Sequence, residues 1–190
     1  EGLDAVIVNP ALVFGPGRAG DNTMQIVEQI RRGKLPAVPS GGTNVVDVDD
    51  VAAAHLLAME KGRTGERYFL GGDNLSWRDI IATLARALGV APPRLTLSHR
   101  PAMMLAALSE AAAFLLRQRA LITRERARQV TRTYFYSSKK AEAELGYTHR
   151  PFAETAARIA KGMEQGAGGM GFPSAQERRA PHVSYLPLPR

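Results

Sequence analysis

Two clusters of residues in this chain have the types and spacing to do chemistry. The first, Gly15-Pro16-Gly17-Arg18-Ala19-Gly20, fits the pattern G-x-G-x-x-G between an apolar run and a helical one. In that setting backbone N–H groups cradle a dinucleotide's pyrophosphate, and Asp47 stands downstream as a ribose ligand. Two residues argue against this use. Pro16 has no N–H to offer, and Asp21 would put a carboxylate at the helix start, where the ligand's own negative charge belongs. The plainer reading is a loop of glycines with special backbone angles after a strand. The second cluster is Tyr136-Ser137-Ser138-Lys139-Lys140. A tyrosine four residues before a lysine can act as a general base, because the ammonium favours the phenolate and helical spacing puts both on one face. Here Tyr136 precedes the helix cap, so the plainer reading is a tyrosine packed at a strand end beside a solvated lysine.

The other polar groups say less. His55, His99, His149 and His182 have no metal-ligand spacing. Asp47, Asp49 and Asp50 could pair for acid/base work, but a helix N-terminus accounts for Asp49 and Asp50. Asp73 and Asn74 read as a turn. Arginines 117, 119, 124, 126, 128 and 132 read as a solvated face, with an anion or nucleic-acid site as the alternative, and they lack the interleaved aromatics of a single-strand binder.

The elements that must position these residues are organised around residues 5–20, AVIVNPALVFGPGRAG. The β-branched run reads as a strand buried on both faces, as in parallel sheets, ending or changing course at Pro10. Ligands bind at the ends of such strands. Downstream, Asp21 or Asn22 caps a helix to Arg32. A short apolar piece spans 35–39, a strand spans 44–48, and Asp49 caps a helix to Glu60 with Val51, Ala54, His55 and Ala58 on one face. A strand at 67–70 ends at Gly71-Gly72. Ser76 with Asp79 resembles a capping box and opens a helix through Trp77, Ile80, Ile81, Leu84 and Leu88. A short strand at 94–97, helices at 101–119 and 123–131, and a strand at 134–136 follow. Ser137 or Ser138 then caps a helix to Leu145, and Phe152, Ala156, Ile159 and Met163 mark a last amphipathic helix. Strands alternating with helices give an α/β class.

The chain has 190 residues, a net charge of +7 and no cysteine. Disulfides, thiolate nucleophiles and cysteine metal sites are excluded. The apolar helix at 101–116 is too short to span a bilayer and contains Ser109 and Glu110. It suits burial best, with a dimer surface or a membrane-surface face as alternatives. The expectation is a cytoplasmic protein without a transmembrane segment. Because the chain starts at Glu1 and enters a buried-type strand at once, it is also expected to be a piece of a longer one. Residues 166–190 read as a disordered tail.

Four segments in order resemble the C-terminal half of an extended short-chain dehydrogenase/reductase. They are VIVNPALVFGPG at 6–17, VVDVDDVAAAHLLAMEKGRTGERYFLGG at 45–72, SWRDIIATLARALG at 76–89 and SSKKAEAELGYTHRPF at 137–152. The resemblance is to the NAD-dependent epimerase/dehydratase family, nearest its dihydroflavonol-reductase-like and hopanoid-associated sugar-epimerase branch, and it covers residues 2–165. It implies the last strands of a Rossmann-like doubly wound sheet plus a small mixed α/β substrate domain, with residues 1–165 as that C-terminal half. Asn9, Pro10, Leu12 and Val13 would lie beside the nicotinamide of NAD or NADP. Arg18, Asn22, Met24 and Asp47 would approach the substrate, and residues 137–140 would start a structural helix. The family's catalytic Tyr and Lys and its glycine-rich loop would lie upstream of Glu1, so no catalytic residue is assigned here and the chain alone is expected to be inactive.

The implied function is part of an oxidoreductase or epimerase acting on a nucleotide-sugar or dihydroflavonol-like carbonyl, possible as a homodimer. A non-catalytic nucleotide- or partner-binding module of the same fold, or a basic binder of nucleic acid or anionic surfaces, is the alternative, though specific nucleic-acid binding is not expected.

Overall fold

In a computed structural model the described residues are 2–17, 21–115 and 123–167. The opening apolar run does what Pro10 dictates and breaks in two. Strand β1, Ile7–Pro10, pairs in parallel with β5, Arg67–Leu70, with Pro10 opposite Leu70. The Ala11 N–H donates to the Leu70 carbonyl at 3.0 Å. The chain then enters a second sheet, where β2, Leu12–Phe14, lies parallel to β4, Gly42–Asp47. The run is not buried on both faces as its composition suggested. Val6 and Val8 pack into a core, whereas Ile7 on the other face is 44% exposed.

β4 is the hub of the second sheet. It pairs antiparallel with β6, Asp73–Ser76, and parallel at Gly42 and Thr43 with β8, Thr133–Tyr134. Residues 73 and 74 are therefore strand, not the turn that Asp and Asn suggested: Gly71-Gly72 turns the chain, and ladder pairing with β4 overrides local preference. A third pair joins β3, Val38–Pro39, to β7, Thr96–Leu97. Every pairing except β4–β6 is parallel, and the α/β class holds.

Successive residues of a strand point to opposite faces, and β4 lies between two cores. Val45 faces Phe14, α1 (Asn22–Arg31), α3 (Trp77–Ala87) and α7 (Phe152–Ala167), with Val27, Ile30, Ile80, Leu84 and Ile159 buried there. The Phe14 and Phe152 rings meet edge to face at 5.2 Å. Val46 faces Val51, Ala54 and Ala58 of α2 (Val48–Lys61), Tyr68 and Leu70 of β5, and Ala141 and Leu145 of α6 (Lys139–Leu145). His55 was expected on that inward face of α2, but it is exposed, with Nδ1 2.7 Å from the Val51 carbonyl. Ser76 Oγ accepts the Asp79 N–H at 3.1 Å, the expected cap. α7 runs through Ala167, and the expectation of a disordered tail otherwise falls outside the described residues.

The helix α4, His99–Leu115, corrects the expectation of burial. It packs on α5, Arg124–Thr131, through Ala102, Ala106 and Ala127, while Met104 is 68% and Leu108 66% exposed. Among the described residues no helix is long and apolar enough to cross a membrane.

Asp47, at the end of β4, ties the two cores together. It, not Asp49, caps α2, accepting the Asp49 N–H at 2.8 Å. It also accepts from Thr155 Oγ1 at 2.8 Å and from Arg158 Nη1 at 2.8 Å, both on α7. Arg150 lies 3.9 Å away and pairs with Asp50 at 2.7 Å. Burial pushes the Asp47 carboxyl up, but the Asp49 N–H, Thr155, Arg158 and Arg150 outweigh it and hold it below the ordinary carboxylate value. A second knot fixes the end of β5. Asn44 accepts the Gly72 N–H at 2.9 Å and donates to the Gly72 carbonyl at 3.0 Å and to Asn74 Oδ1 at 2.9 Å. Ser138 accepts the Gly71 N–H at 3.2 Å and donates to its carbonyl at 2.9 Å, and Tyr147 donates to the same carbonyl at 3.0 Å.

Replacing Asp47 by Asn is expected to cost about 1–3 kcal/mol of unfolding free energy, because the charge-assisted bonds from the Asp49 N–H, Thr155 and Arg158 are weakened while Arg158 keeps its pair with Asp49. Since the folded carboxyl titrates below its unfolded value, its contribution is present above the ordinary carboxylate pKa and lost as pH falls through the lowered folded one. Urea melts across the acid range should thus fall less steeply for Asp47→Asn than for the parent. A Cβ at Gly71 would sit 2.5 Å from Asn44 Oδ1 and 2.6 Å from Phe69 Cε1. Gly71→Ala should therefore lower the thermal midpoint, at a cost of about 1–3 kcal/mol.

Candidate functional site

Along one edge of β4, β8 pairs with Gly42 and Thr43 while β2 pairs with Val45 to Asp47. The break between them, at Asn44, opens into a cleft of about 910 Å³. One wall consists of strand ends: Pro10, Ala11 and Leu12, with Phe69 from β5. α1 contributes Asn22, Thr23, Gln25, Ile26 and Gln29, and Trp77 enters from the first turn of α3. Gly42, Thr43 and Asn44 line it from β4, and Arg126, Gln129, Val130, Tyr134 and Tyr136 complete it. The cleft lies outside the carboxyl ends of the parallel β1 and β5, where open α/β sheets bind ligands.

The position of each wall is set by local sequence. Pro10 cannot donate to a ladder, so β1 stops there and Pro10 lines the cleft. The Ser76 cap fixes the start of α3 and with it Trp77. Asn74 binds the backbone of Tyr136 on both sides, accepting its N–H at 3.1 Å and donating to its carbonyl at 2.8 Å. Tyr136 then packs on Phe69, ring centroids 4.8 Å apart. The lining is aromatic and amide-rich, with Arg126 its one cation and no carboxylate among the described residues. It suits a ligand with a flat face, held by a few hydrogen bonds.

Of the residues singled out from sequence, Pro10, Leu12 and Asn22 come together in this lining. Asn9 precedes Pro10 on β1 and is half-buried. Val13 packs against the α2–α6 core and Met24 is buried in the α1–α7 core. Asp47 is 1% exposed beneath Thr155 and Arg158. Arg18 lies outside the described residues.

The described residues of both motif clusters resolve into packing. Gly15 leaves no room for a Cβ because the Val48 side chain fills that space, and Pro16 touches the open side of Gly162. Gly15 and Gly17 are absent from the left-handed glycines, so close approach, not special backbone angles, accounts for Gly15. Lys140 donates to Glu66 at 2.5 Å and lies over the Tyr68 ring at 4.8 Å, while Tyr136 packs on Phe69. Tyr68 and Phe69 are consecutive in β5 and face opposite sides of its sheet. Tyr136 and Lys140 are thus not a pair.

Sequence reasoning missed Phe69, Trp77 and Tyr134 as site residues and gave Arg126 an anion site only as the alternative to a solvated face. The available signal was the aromatic run Tyr134, Phe135 and Tyr136, which puts large rings on both faces of a strand; the structure leaves all three exposed.

Comparison with known proteins accords with this architecture. The model of the NAD dependent epimerase/dehydratase family matches residues 1–71. A Synechocystis sp. protein provisionally named dihydroflavonol 4-reductase is 33% identical over 151 residues, covering 77% of this chain and 44% of that protein. The crystal structure of gox2253 superposes with a TM-score of 0.71 at 35% identity, covering 84% of this chain and 49% of that one. PA4631, a nucleoside-diphosphate-sugar epimerase from Pseudomonas aeruginosa, gives 0.67 at 30% identity, covering 86% and 49%. The chain thus spans about half the length of the relatives it matches. The family-model match over residues 1–71 and relatives covering most of this chain make it similar to members of the NAD dependent epimerase/dehydratase family along about half of their length.

Proposed function

We propose that this chain supplies the nicotinamide-facing wall and the substrate pocket of an NAD(P)-dependent reductase whose substrate is a planar, largely apolar carbonyl compound. The observation that carries this reading is the cleft lining, where Phe69, Trp77, Tyr134 and Tyr136 meet without a carboxylate among the described residues. When bound, NAD(P)H supplies a hydride to the carbonyl carbon. Pro10, Ala11, Leu12 and Phe69 offer a flat apolar surface that fits the face of a nicotinamide ring, with Asn9 and Val13 flanking it on the same strands. The aromatic side chains exclude water and orient a flat substrate by stacking. Asn22 and Thr23 provide hydrogen-bonding groups at the cleft edge, and Met24 and Asp47, both buried, act around it rather than on the substrate directly. The name of the Synechocystis relative points the same way.

One observation favours a second reading. Arg126 lies in the lining, and a guanidinium suits the diphosphate of a nucleotide sugar, the substrate class for which the P. aeruginosa epimerase is named.

Trp77 is the chain's single tryptophan and lines the cleft, so its emission reports occupancy. A dihydroflavonol should change that emission saturably, and Arg126→Ala should alter the midpoint less than about twofold, since stacking dominates. A response to UDP-glucose that Arg126→Ala abolishes would instead establish the nucleotide-sugar reading, and no response to either would remove the cleft as the substrate pocket. Because Tyr136 and Lys140 are not paired, the 190-residue chain alone should not consume NADPH with any carbonyl offered. Lys140→Ala should change stability by no more than about 0.5 kcal/mol, as expected for an exposed ion pair, and should leave the emission response to the dihydroflavonol unchanged.

A further inference from the structure

The α4–α5 pair has a side that the cleft does not use. Ala102 and Ala106 of α4 meet Ala127 of α5, and the opposite side of α4 presents Pro101, Met104, Leu105, Leu108, Ala111 and Ala112, all exposed. Their spacing of three and four residues makes one continuous apolar stripe. Nothing in the chain covers it among the described residues. The helices run antiparallel, fixed at one end by Arg124, whose Nε donates to Glu110 at 2.6 Å, and at the other by Thr131 Oγ1, 2.7 Å from His99 Nδ1. Arg124 and Arg128, four apart on α5, therefore lie along one flank of the pair. Arg100 borders the stripe itself, sharing a shallow depression with His99, Pro101 and Met104. The described part of residues 94–132 holds six arginines, Arg94, Arg100, Arg124, Arg126, Arg128 and Arg132, against Glu110 and Glu125. Glu110 is already paired with Arg124.

From this arrangement we infer that α4 is a membrane-surface helix, seating its outward stripe in the interfacial region of an anionic lipid bilayer while Arg100, Arg124 and Arg128 reach headgroup phosphates. Charge complementarity selects this occupant. A second copy of the chain would bring the same arginines against these. Nucleic acid would leave the stripe unsatisfied, since its six positions are aliphatic and none can stack on a base. An anionic bilayer meets both parts, the apolar face by burial at the acyl boundary and the arginines by attraction to headgroups. The consequence reaches the cleft. α5 also carries Arg126, Gln129 and Val130 in the cleft lining. A seated α4 therefore holds that side of the cleft roughly one helix diameter, about 10 Å, from the lipid surface.

The test is flotation of the 190-residue chain with vesicles of phosphatidylcholine alone or mixed with phosphatidylglycerol. Binding is expected to the mixed vesicles, weak or absent on phosphatidylcholine, and reduced by salt. Leu108→Asp should lower it by about tenfold or more, through loss of apolar burial plus repulsion. Arg128→Glu should lower it by at least about fivefold. Both positions are exposed, and unchanged circular dichroism and melting of the variants would exclude misfolding as the cause. Equal binding to neutral vesicles, full binding by Leu108→Asp, or no binding to either vesicle would overturn the inference. So would light scattering that shows a dimer dispersed by Leu108→Asp with no lipid association.

Discussion

A single carboxylate holds the two halves of this architecture in register. Asp47 ends the strand that both cores share, caps the helix leading into one of them, and receives Thr155 and Arg158 from the helix that closes the other. A buried charge in that position is costly unless every lone pair is occupied. Donors from a backbone amide, a hydroxyl and a guanidinium meet that demand. The same contacts fix where α7 crosses β4, and α7 in turn bears on the Gly15–Gly17 loop through Gly162 and Pro16. What looks in sequence like a cluster of acidic residues is a joint between layers.

Much of the fold was legible because it rests on local rules. The helix over Trp77 to Ala87 announces itself through Ser76, Asp79 and a strong 3.6-residue pattern, and the strand at Arg67–Leu70 through its composition and flanking glycines. The break at Pro10 follows from a missing N–H. The strand at Asp73–Ser76 was not legible, since its residues prefer turns and only the ladder with β4 and the Asn44–Asn74 bond make it extended. The exposure of α4 was hidden for a related reason. Its composition describes an apolar helix, and burial depends on how many neighbours the fold provides.

The cleft was only partly legible. Pro10, Leu12 and Asn22 belong to one stretch of chain and to a recognisable family pattern. Phe69, Trp77, Arg126 and Tyr134 come from four separate elements, and no spacing in sequence links them. The two motif matches illustrate the converse. G-x-G-x-x-G and Tyr-x-x-x-Lys are patterns of identity and spacing, whereas Gly15 answers to Val48 and Lys140 to Glu66, partners that no short pattern contains.

The crossing from β1 to β2 has a mechanical consequence. Pro10 is registered against Leu70 in one sheet and Leu12 against Val45 in the other, with Ala11 alone between them. A tether that short spans no more than about 7 Å, so neither sheet can slide without unzipping the other. The strand-end side of the cleft therefore behaves as a fixed jaw. Any breathing that admits a ligand must come from the other jaw, the α5 side, where the buried contact with α4 is made by the small Ala102, Ala106 and Ala127, with Leu97 and Met103 packed against them.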